Sequence, residues 1–201
     1  MTTATVPLRE AQKALTRSRI IDAARSVFES EGYAGASIGL ITNEAAINRA
    51  TFYLHFPDKA AVFREVAALD RMRTDEYWRE LNTALLIGTR DAVAHWVLRL
   101  TQWARDNALL MRSKHEAMAS DSEFAKEFQP RYDRLALNIE EYLSRFPEDQ
   151  REEQKIRVQM LVVMTDQMFF HAIVQGVWQG SEDQLLRVIT DLFCRGLGIT
   201  D

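Results

Sequence analysis

The sequence predicts an all-α fold, with a small head of three helices followed by a larger helical domain. Three observations lead there. Glycine and proline together account for only 12 of 201 residues, far too few for the turns of a sandwich or barrel. Apolar residues recur at helical spacing along nearly the whole chain, and no stretch alternates with period two. The balance of 47% hydrophobic and 27% charged residues is that of a globular protein and excludes disordered and fibrous classes.

The elements follow in order. Ile20, Ala24, Val27 and Phe28 share one helical face, and Gly32 is a natural stop for this first helix. Ser37 can cap a short second helix on which Ile38, Ile41 and Ala45 recur. Asn48 can cap a third, running from Arg49 to Phe56 and stopped by Pro57. Asp58 caps a long fourth helix free of glycine and proline until Gly88, with Ala61, Val62, Val66, Leu69, Met72 and Trp78 on its apolar positions. Val93, Trp96, Val97, Leu100, Trp103 and Ala104 form the next stripe, and Leu109 to Ala119 another. Pro130 should end one helix or open the one that runs to Phe146. Residues 152–178 read as one long helix, apolar almost all round from Met160, which requires burial on more than one side. A final helix over 181–195 carries the broad stripe Leu185, Leu186, Val188, Ile189, Leu192 and Phe193.

Several function classes fall away. The single cysteine, Cys194, allows neither an internal disulfide nor a multi-thiolate metal site and fits a reducing compartment. Residues 1–9 lack the apolar core of a signal peptide, and the uncharged run 167–181 is shorter than the ~18 to 20 residues of a membrane span. A cytoplasmic, soluble protein without a membrane partner is expected. His95, His115 and His171 lack metal-ligand spacing, and there is no GxSxG, P-loop or GxGxxG, so neither enzyme activity nor a metal or other cofactor is expected. Asp91 and His95 share a helix face but read as ion-pair or cap residues. Asp166, in an apolar helix, should have a partner or face a wet cavity.

Charge is distributed unevenly. The chain carries −4, yet residues 1–60 balance to +1 and the remainder to −5. A polyanion should therefore meet the first third. Two short capped helices behind a longer one are the layout of a helix-turn-helix, whose second short helix enters the DNA major groove. On that helix Ile47, Phe52 and Phe56 can anchor inward. Asn48, Arg49, Thr51, Tyr53 and His55 then project groups suited to phosphates or base edges, with Lys59 able to neutralise a further phosphate. The bland alternatives are a half-buried aromatic for Tyr53 and a surface histidine for His55.

This pattern resembles the TetR family of transcriptional repressors. The resemblance rests on Ile20-Ile21-Asp22-Ala23-Ala24 to Phe28, Gly32-Tyr33, Ser37-Ile38, Ile41, Ala45 through Phe56, and Asp58-Lys59. The rest of the chain is similar only in length and helical rhythm. The resemblance implies a homodimer with an operator-binding head, residues 1–60, and a ligand-binding and dimerisation domain, residues 61–201. Carried over by position, Arg49 and Ala50 face bases, while Ser37, Thr51, Tyr53, His55 and Lys59 face phosphates. The sequence departs from the pattern at Gly39, where relatives present a long side chain, at Ala46, where turn glycine is frequent, and at Ala50. Without a contact from position 39, more specificity falls to Arg49. Arg9, Lys13 and Arg17 form a basic arm able to reach the minor groove or backbone.

In the larger domain Trp78, Trp96, Trp103, Met111, His115, Met118, Met164, Gln167, Met168 and His171 are the candidate lining of an apolar cavity suited to a hydrophobic or aromatic effector. Phe124, Tyr132, Phe169 and Trp178 belong to the same bulky set and read as core. The last two helices of each subunit should form a four-helix interface that sets the spacing of the heads on a palindromic operator. Two readings from other classes stay open: a helical enzyme or carrier with a docking head, and an architectural DNA-binding protein without an effector.

Overall fold

The computed structural model describes residues 8–128 and 131–200, and of these all side chains except those of 71–74, 128 and 131–133. Pro130 and the side chains of Met72 and Tyr132 lie outside what is described. The described residues form helices and no strand, as the spacing predicts. The helices are α1 (Leu8–Gly35), α2 (Ile38–Glu44), α3 (Arg49–Tyr53), α4 (Lys59–Ile87), α5 (Arg90–Asp106), α6 (Ala108–Ser120), α7 (Ser122–Phe128), α8 (Arg131–Asn138), α9 (Glu140–Leu143), α10 (Glu148–Phe169) and α11 (Glu182–Leu197). A π-helical turn, Phe170–Val174, extends α10.

Local chemistry sets the helix starts. Ser37 Oγ accepts the Leu40 N–H at 3.2 Å, Asn48 Oδ1 that of Thr51 at 2.7 Å, and Asp58 Oδ1 that of Ala61 at 2.7 Å. Ser181 and Gln184 form a reciprocal capping box at α11. Gly88 ends α4 at φ 71°, where a side chain would be strained.

Several boundaries differ from expectation. α1 is already helical at Leu8, so the basic arm is a helical extension of the head. Gly32, at φ 73° and ψ 172°, breaks α1 where the stop was expected, and one further turn follows. α3 ends at Tyr53 rather than Phe56, because the His55 and Phe56 amides both turn back onto the Phe52 carbonyl at 2.9 Å ahead of Pro57. The segment before Phe146 is two helices, interrupted at the fully buried Ile139, whose φ of −114° and ψ of 17° tuck its side chain into the core. The long helix expected over 152–178 ends at Phe169, passes through the π turn and leaves helical geometry before Gly176, which sits at φ 65°.

Two cores result. The first joins α1, α2 and α3 to the first turns of α4 through Val62, Phe63, Val66 and Ala67, and takes in Leu110, Ala117 and Phe124 from α6 and α7. The second packs the other half of α4 with α5 and α8 to α11. α4 therefore runs through both, and α6 is tied to the end of α1. There Ser113 Oγ donates to the Phe28 carbonyl at 2.6 Å, and the Ala34 N–H donates to Glu116 Oε2 at 3.1 Å. Beneath this joint Asp70 of α4 and Lys114 of α6 form an ion pair, their side chains 0% and 10% exposed.

Candidate nucleic-acid interface

The reading helix is positioned by what it buries. Phe52 and Phe56 sink into the head core with ring centroids 5.9 Å apart, while Ile47 is half-buried beside them. With that side fixed, Asn48, Arg49, Ala50, Tyr53 and Leu54 are left exposed, and Thr51 and His55 half-exposed. The turn before α3 is held by Arg19, whose Nη2 donates to the Ala45 carbonyl at 2.7 Å, and it passes through Ala46 at φ 49°. Left-handed backbone is costly for a residue with a Cβ, so the alanine in place of glycine leaves strain at this turn.

Each expected contact residue has a definite place. Asn48 Oδ1 accepts from both the Thr51 N–H and, at 3.0 Å, the Thr51 hydroxyl, leaving the carboxamide NH2 as its outward group. The Ser37 oxygen caps α2 at the head surface. Arg49 makes no hydrogen bond or ion pair among the described residues. Other head cations are engaged: Arg17 pairs with Glu65 at 2.6 Å and lies 4.8 Å over the Phe56 ring, and Arg25 pairs with Glu29. Lys59 is turned inward, unlike the phosphate-facing pose expected for it. Its Nζ donates to the carbonyls of Tyr33 at 2.6 Å and Ala36 at 3.0 Å and sits 4.4 Å over the Tyr33 ring. The end of α1 leaves these carbonyls open, and burial there holds the Lys59 pKa below its ordinary value.

His55 lies within the field of the basic extension. Burial, then the positive charges of Lys13 and Arg17, lower its pKa, and its Nδ1 is enclosed without a partner. Arg9 and Lys13 are exposed, and both are without partners among the described residues. The face so assembled carries free cations, amide and hydroxyl groups around a protruding short helix, with Leu40 and Leu54 as exposed apolar contacts the sequence reading missed. Their signal was present: each falls between two inward anchors and must point the other way.

The candidate effector residues are not brought together. Trp78, Trp96, Trp103 and Met111 are buried in the second core, where Trp96 Nε1 donates to the Tyr77 carbonyl at 2.9 Å. Trp103 Nε1 is buried without a partner. The His115 ring stacks on Phe170 at 3.7 Å, Met168 is half-buried, and Met118, Met164, Gln167 and His171 are exposed. Of the wider bulky set, Phe124 and Phe169 are buried and Trp178 is 40% exposed. Asp166 is half-exposed rather than sealed in apolar surroundings. A groove of about 460 Å³ instead opens between α4 and α5, lined by Thr83, Ala84, Ile87, Ala92 and Trp96 with Glu80, Asp91, His95 and Arg99 around them. Glu80 and Arg99 pair at 3.0 Å. No group of three or more metal-ligating side chains occurs among the described residues, and no helix of the described residues is long and apolar enough to cross a membrane.

A buried-backed short helix presented outward, a capped helix before it and a helical domain behind define a helix-turn-helix protein. Residues 20–66 match the sequence model of bacterial regulatory proteins of the tetR family. The HTH-type transcriptional regulator UidR of Escherichia coli K12 is 37% identical over 65 residues, covering 32% of this chain and 33% of UidR. The match thus spans about a third of that relative's length. In overall fold the chain resembles a TetR-family regulator from Mesorhizobium loti, with a TM-score of 0.70 at 19% identity, covering 93% of this chain and 97% of that one. It also resembles the TetR-family regulator CifR, solved in complex with a 26-base-pair operator DNA, with a TM-score of 0.57 at 20% identity, covering 92% and 97%. Residues 20–66 are thus similar to the tetR family of bacterial regulatory proteins, and the chain as a whole resembles TetR-family regulators in fold. The relatives it matches are named as transcriptional regulators.

Proposed function

We propose that this protein is a dimeric repressor that reads a palindromic operator through α3 and releases it when a small molecule binds the second domain. The observation that carries the reading is the outward, unpaired Arg49 beside Ala50 on a helix whose opposite side is fully sunk. A cation free of carboxylates is available to a base edge or phosphate without first breaking an ion pair. Residues 1–60 are assigned to reading and 61–201 to ligand binding and dimerisation, with α4 physically part of both. We assign Ser37, Asn48, Thr51, Tyr53 and His55 to the phosphates. Lys59 we assign to bracing the end of α1.

Dimerisation is supported by apolar side chains that the single chain leaves in water. Ile156, Met160 and Met164 follow at i, i+4 and i+8 on α10, and Val188 and Leu192 at i, i+4 on α11. Two copies of this helix pair would cover them as a four-helix interface and hold two heads about 34 to 36 Å apart, or a multiple of it. The α4–α5 groove suits an effector with an apolar body and a polar end, and an effector there would act on the helix that carries the head. Selecting sequences from a random duplex pool tests the reading. An enriched inverted repeat is expected, and a pool with no enriched sequence would contradict it.

A further inference from the structure

Gly39 sits in the first turn of α2, and its backbone is not left-handed, so the fold does not require glycine there. Alanine would make the better helix. Across the turn, a Cβ built at position 39 would meet Arg49 Nη2 at 3.2 Å, so the exposed guanidinium would have to give by a few tenths of an ångström, with Ser37 Oγ next at 3.7 Å. The Arg49 guanidinium thus rests against the bare backbone of α2. No carboxylate holds it there, and the nearby helix start carries positive partial charge, so its place over α2 is not owed to an ion pair and is open to whatever stands at position 39.

Resting on the operator-reading role proposed above, we propose that Gly39 is a specificity-determining position that acts through Arg49. The missing side chain lets the guanidinium lie low over α2, from where its planar edge can meet the O6 and N7 acceptors of one guanine in the major groove. Any side chain at position 39 lifts or turns that edge, and a longer one does so more. Gly39 is a positioning residue; Arg49 makes the contact.

The experiment compares the wild type, Gly39→Ala, Gly39→Gln, Arg49→Ala and the double variant Gly39→Gln/Arg49→Ala on the selected operator and on operators changed one base pair at a time. Gly39→Ala should keep or raise the Tm while the preference for guanine at the Arg49 position falls several-fold. Gly39→Gln should lower that preference by about tenfold or more. Neither should change the salt slope, and in the Arg49→Ala background the residue at 39 should no longer affect that position. Gly39→Gln with the guanine preference intact, or an equal effect with and without Arg49, would overturn the inference while leaving the operator-reading role standing. A wild type that selects no sequence would overturn both.

Discussion

The reading face of the head and the far face of α10 and α11 solve opposite problems with the same material. On the head, Phe52 and Phe56 are hidden and Arg49 is left without a counter-charge. On the far face Met160, 60% exposed, stands with Ile156, Met164, Val188 and Leu192 in the open. A lone exposed leucine means little, but a run at helical spacing on two adjacent helices supports the proposed contact with a second copy. The difference separates the two roles proposed above. Unpaired charge suits a polyanion, whereas apolar stripes suit a second copy of themselves.

The largest effect should come from breaking the far face. Met160→Asp with Leu192→Asp places like charges across a symmetric contact, and sedimentation should then show monomers whose operator affinity falls by two orders of magnitude or more. A dimer of unchanged stability would detach these stripes from assembly. Next comes the joint between the two regions. Lys114→Met removes the ion-pair partner that α6 gives the buried Asp70 carboxylate and should cost about 1 to 3 kcal/mol in denaturant unfolding, with both cores affected because α4 and α6 span them. A change below about 1 kcal/mol would show that this ion pair is not what holds the joint together.

Smaller effects sharpen the head. Ala46→Gly relieves the left-handed turn and should stabilise by about 0.5 to 1 kcal/mol, with operator preference unchanged; destabilisation would mean that the alanine methyl makes a contact of its own. Lys13→Ala should lower the salt slope of operator binding by about one unit, whereas Lys59→Ala should lower the Tm with the slope unaltered. The reverse pattern would assign the phosphate contact to Lys59. Smallest is a pH effect. The His55 pKa in the folded head lies below its ordinary 6.5, held there by burial and by Lys13 and Arg17. The unfolded chain takes up its proton first, so the contribution is full above about pH 6.5 and is lost as pH falls through the lower folded value. The Tm difference between wild type and His55→Gln should shrink over that range, and a constant difference would show that the ring titrates normally.

Much of the head was legible because its signals are local. Ser37, Asn48 and Asp58 each cap a helix by bonding an amide three residues on, and such a bond needs only its own sequence neighbourhood. The anchors Phe52 and Phe56 follow from spacing. The direction of Lys59 was not legible, because it depends on where the Tyr33 and Ala36 carbonyls point after α1 breaks at Gly32. Nor was the Gly39–Arg49 contact, which exists only once two helices meet across a turn. In the second domain, periodicity marked Trp78, Trp96 and Trp103 as bulky and apolar, but whether such residues line a cavity or fill a core is decided by distant helices. The extent of α10 was overestimated for a related reason. The apolar run continues past Phe169, and hydrophobicity alone does not register the π turn or the left-handed Gly176.

The most direct test of the reading face is base preference in Arg49→Ala, measured on a single-substitution series of the selected operator at fixed salt. The account predicts a loss of about 1 to 3 kcal/mol of discrimination at one base pair in each half-site, with the other positions intact. Unchanged discrimination at every position would contradict it.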